Sequence, residues 1–111
     1  MANISVGDIV FVHFPFSDLS KNKLRPALVL ADAGKGDLVL CQITSQSYTD
    51  TKAITLQPDS FETGHLIKIS YIRPAKLFTA NISIVEKNVA HVKERVRRSV
   101  IDRIFELLNA G

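Results

Sequence analysis

The sequence predicts a mainly β protein, a small barrel covered by one C-terminal helix, and three observations carry that expectation. Short apolar runs recur through the chain, each bounded by turn formers or polar residues, as strands are. From residue 93 the period lengthens: Val96, Val100, Ile104 and Leu107-Leu108 return every three to four positions, the signature of an amphipathic helix. Several strands followed by one helix fit a closed sheet with a helical cover.

The first expected strand is 8–14, apolar on both faces and therefore covered on both sides. Residues 14–24 mix turn formers with lysines and read as a loop long enough to carry function. A strand over 26–31 follows, with proline at its first position, where no ladder donor is required. Residues 32–37 contain two glycines and form a hairpin turn into a partner strand at 38–44. Beyond a polar loop at 45–52, short strands are expected at 53–56 and 66–72, separated by a turn region at 58–64. Pro74 is expected to break the second of these, extended structure resuming at 76–79. A last strand over 88–92 leads into the helix.

The 111 residues, 46% hydrophobic, suit one domain spanning 1–111, and neither repeats nor a linker interrupt it. Lys and Arg number 14 against 11 acidic residues, a net charge of +3 that permits a polyanionic partner without demanding one. Cys41 is the only cysteine, which argues against a disulfide framework and for a reducing compartment. No apolar run approaches a membrane span and the N-terminus lacks a secretory pattern, so a soluble, cytoplasmic protein is expected.

Candidate chemistry gathers at strand ends, because the interior of a small barrel must be filled with side chains. Arg25, at the mouth of an apolar strand, offers a planar fork of donors suited to phosphate or a phosphorane; the plainer alternative is a surface arginine paired with Asp18 or another nearby acid. Thr44 and Ser45 end another strand. Their hydroxyls suit a phosphoryl oxygen or a ribose 2′-hydroxyl, or else ordinary turn chemistry, and strand alternation would turn only one toward a given site. His13 shares a face with Ile9 and Phe11 and is a candidate acid or base, although a structural histidine is the commoner case. Arg73 and Lys76 flank Pro74-Ala75 and would extend a phosphate track or simply form a solvated basic turn. The basic helix also carries Glu94, Asp102 and Glu106 and reads as a solvated face. His65 and His91 have no partners at ligand spacing, and neither a metal site nor a cofactor is expected. Gly34-Lys35-Gly36 lacks the spacing of a nucleotide fingerprint.

Taken in order, Gly7-Asp8-Ile9-Val10, Arg25-Pro26-Ala27-Leu28-Val29-Leu30, Ile43-Thr44-Ser45, Arg73-Pro74-Ala75-Lys76-Leu77-Phe78-Thr79 and the C-terminal helix resemble the MazF/PemK family of toxin endoribonucleases. The resemblance spans nearly the whole chain, and its Arg-Pro-Ala-Leu-Val-Leu block is the most specific part. It implies an SH3-like, CcdB/MazF-type β-barrel acting as a homodimer on single-stranded RNA, inhibited by a cognate antitoxin and reaching operator DNA through that complex. It makes Arg25 and Thr44 the catalytic pair. Around them, the expected substrate-binding set is His13, Phe16, Ser17, Lys21, Lys23, Ser45, Gln46, Arg73 and Lys76, the loop before Arg25 bordering the RNA channel. One departure stands out: many relatives carry an acid where this chain has Ala75.

The function so implied is metal-independent cleavage of mRNA through a 2′,3′-cyclic phosphate. The alternative is a binding protein on the same barrel, acting on a protein target as gyrase poisons do, or holding RNA without cutting it.

Overall fold

The computed structural model describes residues 4–14, 23–46 and 51–110. Its strands are β1 (Asp8–Phe14), β2 (Lys23–Gly34), β3 (Asp37–Thr44), β4 (Ile54–Leu56), β5 (Phe61–Gly64), β6 (Ser70–Asn81) and β7 (Val85–Val92), followed by helix α1 (Glu94–Asn109). They form one sheet in the order β4-β6-β3-β2-β1-β7-β5, every ladder antiparallel. The segment joining β5 to β6 connects one edge of the sheet to the strand next to the other edge. Six Cα steps reach at most roughly 20 Å, so the two sides must curl toward each other into a half-barrel. The mainly β architecture with one C-terminal helix is the expected one.

Both faces of the sheet are packed, as the unbroken apolar run of β1 requires. Ile9, Leu28, Cys41, Ile43 and Ile72 meet Val96 and Val100 of α1 on one face. Val10, Val12, Val29 and Leu40 form a second core, edged by Phe78, Ile82 and Val85. Consecutive residues Ile9 and Val10 thus serve different cores, which is strand alternation applied to a strand buried on both sides.

The start of β1 is tied down by a buried carboxylate. Asp8 accepts the Ser5 N–H and the Asn88 side-chain amide on Oδ2, each at 2.7 Å, and its Oδ1 lies 2.7 Å from His91 Nδ1. Gly7 makes this possible. Its φ is +99°, and a Cβ there would come within 2.9 Å of the His91 ring. The Gly-Asp pair therefore builds the sheet.

Several expectations change in detail. The strand expected over 66–72 begins only at Ser70, and 65–69 is irregular, with Ile67 96% exposed. The 58–64 region holds a 3-10 turn (Pro58–Ser60) and then β5, whose edge pairing with β7 leaves little pattern in so short a sequence. Pro74 does not end a strand. Cys41 to Ile43 of β3 faces Leu77 to Ile72 of β6, so residues 73–76 bulge out of the ladder, where the missing proline N–H is not required. There the Cys41 thiol donates to the Arg73 carbonyl at 2.8 Å.

Candidate active site

The groove of interest opens where β2 and β3 part. Their ladder ends at Ala27↔Gln42, although β1 continues to pair with β2 as far as Lys23. Pro26 sits one step past that end, where no β3 partner calls for its missing donor. Continuing the same register would set Arg25 opposite Thr44. Instead the strands separate, and both residues line a cavity of about 520 Å³.

Five stretches of chain bound it. Leu24, Arg25 and Pro26 come from β2; Ile43 and Thr44 from β3, with Ser45 and Gln46 beyond. Phe11 of β1 lies between, paired with Pro26 on one side and Lys87 of β7 on the other. Lys87 and Val89, with residues 65–68 and Ser70, complete the enclosure. Lys87 Nζ stands 5.8 Å from the centroid of the Phe11 ring, a cation–π contact that holds the ammonium over the groove's apolar floor.

Charge in the groove has one sign. Arg25, Lys68 and Lys87 line it, and the described lining residues include no carboxylate. Arg25 Nε is buried and has no hydrogen-bond partner among the described residues. A buried donor left unmet is costly unless a ligand meets it, so this atom marks a place for an acceptor such as a phosphate oxygen. Asp18, its alternative partner, lies outside the described residues.

Thr44 and Ser45 both line the groove, contrary to the alternation argument, because β3 ends at Thr44 and the chain bends there. Thr44 Oγ1 accepts the Gln46 N–H at 3.2 Å, so the hydroxyl serves the turn and still has a proton to donate. Gln46 joins them. His13 does not line the cavity; its Nε2 is 3.0 Å from Glu86 Oε2 on the neighbouring strand, and both side chains are partly exposed. Arg73 and Lys76 lie on the β6 bulge, outside the groove lining, as does the exposed Ala75. Phe16, Ser17 and Lys21 fall outside the described residues, and Lys23 opens β2 opposite Phe14.

Sequence reasoning missed Phe11, Lys68, Lys87 and His65 as groove residues. Phe11 was legible only as core. Lys68 belongs to a segment expected as strand, His65 to the turn or strand end before it, and Lys87 to a stretch with no expected element. The curl of the sheet brings 65–68 to the groove, and β1 sets Lys87 of β7 one strand away from β2. Among the described residues no group of three His, Cys, Asp or Glu side chains is arranged to hold a metal ion. On α1 the arginines are engaged locally: Arg97 reaches Glu94 at 2.7 Å, Arg95 donates to the Asp59 carbonyl, and Arg103 donates to that of Lys52.

The same fold occurs in solved toxins. The chain is similar to the MazE-MazF complex of Deinococcus radiodurans, with TM-score 0.72, 21% identity and coverage of 96% of this chain and 95% of that one. It is similar to an endoribonuclease in complex with its cognate antitoxin from Mycobacterial species, with TM-score 0.73, 12% identity and coverage of 95% and 94%. A MazF toxin of Mycobacterium tuberculosis gives TM-score 0.71 at 11% identity, covering 92% and 96%. No curated protein matches by sequence. A family model for PemK-like, MazF-like toxins of type II toxin-antitoxin systems matches residues 5–108. The chain belongs to that family.

Proposed function

We propose that this toxin is an endoribonuclease that cuts single-stranded mRNA at a short motif without a metal ion. The observation that carries the reading is the buried, unpartnered Nε of Arg25 in a groove shared with Thr44 and lined by cations. Cleavage begins when a ribose 2′-oxygen attacks the adjacent phosphorus, and negative charge builds on the phosphorane. Arg25 meets that charge with fixed donors in a partly dry site, where such stabilisation is strongest. The Thr44 hydroxyl donates to a non-bridging oxygen or orients the 2′-hydroxyl. Lys68 and Lys87 neutralise flanking phosphates, and Phe11 and Leu66 offer apolar surface to a base. The products are a 2′,3′-cyclic phosphate and a free 5′-hydroxyl.

The partners follow from the same groove and from the relatives. Solved relatives are held by MazE or a cognate antitoxin. An acidic antitoxin segment that folds on binding would cover this basic groove and exclude RNA. The active form is a cytoplasmic homodimer, and the toxin-antitoxin complex is the species that meets operator DNA.

Incubating the purified protein with a long single-stranded RNA in excess EDTA, then mapping the new ends, tests the proposal. Discrete cuts with cyclic-phosphate termini are expected. Strict magnesium dependence or 5′-phosphate ends would overturn the mechanism, and tight RNA binding without cuts would favour the binding-protein alternative.

A further inference from the structure

We infer that His65 is the general base of the RNA cleavage proposed above, an assignment that rests on that reading of the groove. Removing the 2′-hydroxyl proton calls for a side chain that accepts protons near neutral pH, within hydrogen-bond reach of the ribose. Among the described residues lining the groove, only His65 is of that type. Arg25, Lys68 and Lys87 are protonated donors without a lone pair, and Thr44, Ser45 and Ser70 are hydroxyls with no base beside them in the described lining. His13, the candidate from sequence, lies outside the groove lining and is engaged with Glu86 at 3.0 Å.

The backbone fixes where His65 can be. Gly64, the last residue of β5, pairs with Ala90 of β7 at φ +71°, and a Cβ on it would lie 2.2 Å from the Val89 carbonyl oxygen. No other residue fits so close to β7 in that conformation. His65 is the next residue, so it leaves the sheet from a pinned point at the groove's rim. Five residues later Ser70 enters β6, and the segment is anchored at both ends. The imidazole is exposed and lines the groove, with Lys87 and Val89 of β7 on its own side and Arg25 of β2 and Thr44 of β3 on the other. The charged residues that line the groove with it are Lys87 from β7, Arg25 from β2 and Lys68 from its own segment.

In the step, an imidazole nitrogen takes the 2′-hydroxyl proton as the bond from the 2′-oxygen to phosphorus forms. The bond from phosphorus to the 5′-oxygen breaks, and that oxygen takes a proton from water. The imidazolium then returns its proton to the hydroxide produced, so nothing is consumed beyond the RNA.

The test is the pH dependence of kcat for the full-length protein on an RNA oligonucleotide spanning a mapped cut site. It is run beside binding of the same oligonucleotide with a 2′-deoxy sugar at the scissile position. His65→Gln should lower kcat by about a hundred- to ten-thousandfold and abolish the acid-side fall of the wild-type profile, while binding of the deoxy analogue holds. An active wild type whose acid limb survives in His65→Gln overturns the assignment, as does loss of that limb in His13→Gln instead. A raised KM with kcat and the pH profile intact would also overturn it, by making His65 a binding group. A wild type that cuts no RNA defeats the nuclease reading itself and is recognised before any variant is compared.

Discussion

At one end of β1 a buried carboxylate, Asp8, is met by Ser5, Asn88 and His91, all at 2.7 Å. Toward the other end, across the ladder on β2, Arg25 keeps a buried Nε that no described residue meets. Both groups are charged, both belong to short motifs that stand out in the sequence, and both lie within the first residues of a strand. Their difference is saturation. A polar group whose partners are all within the protein holds the fold together, whereas a buried donor left without an acceptor is held in readiness for something else.

Substitution at each end is the direct way to break this contrast. Arg25→Ala should lower the cleavage rate by about a hundred- to a thousandfold with the thermal midpoint preserved. Arg25→Lys should also be poor, since a point charge lacks the planar fork. A collapsed fold in Arg25→Ala would make the arginine structural after all. Asp8→Ala should do the reverse. Losing the buried carboxylate that ties Ser5, Asn88 and His91 together should cost about 1–3 kcal/mol in urea unfolding, with the rate per folded molecule retained.

Smaller effects sharpen the picture within the groove and far from it. If Lys87 meets a phosphate, Lys87→Ala should reduce the slope of log binding constant against log salt for single-stranded RNA by about 0.7. An unchanged slope would confine Lys87 to its contact with Phe11. The smallest effect is expected on α1. The hydrogen bond from Arg97, aided by the charges of Arg97 and Arg98, holds the Glu94 carboxyl below the ordinary glutamate value. A lowered folded value means that this contribution is complete above the unfolded value and is lost as pH falls through the folded one. Because Glu94 is exposed, Glu94→Gln should only slightly flatten the acid limb of a stability–pH curve and leave cleavage alone.

Periodicity made the cores legible: the doubly apolar β1, the hairpin of β2 and β3, and the helix that places Val96 and Val100 on one stripe are local patterns with local causes. Arg25 and Thr44 were legible too, since strand mouths are visible wherever strands are. What stayed hidden depends on distance along the chain. Asp8 and His91 are 83 residues apart, and nothing near either announces the other. Lys87 and Arg25 line one groove because β1 lies between β7 and β2. Pro74 misled because a proline reads as a stop unless the opposing strand is known to skip past it.

Gly64 has a consequence for how this toxin can change. The segment that follows it is clamped at its entry by a backbone contact and at its exit by β6, while Ile67 between them stands almost wholly in solvent. Leu66 packs against the first core, so only its neighbours at 67–69 can be altered without touching either core. That separation makes Ile67, Lys68 and Ile69, with Gly64, His65 and Leu66 held constant, the natural library for changing what this wall of the groove meets.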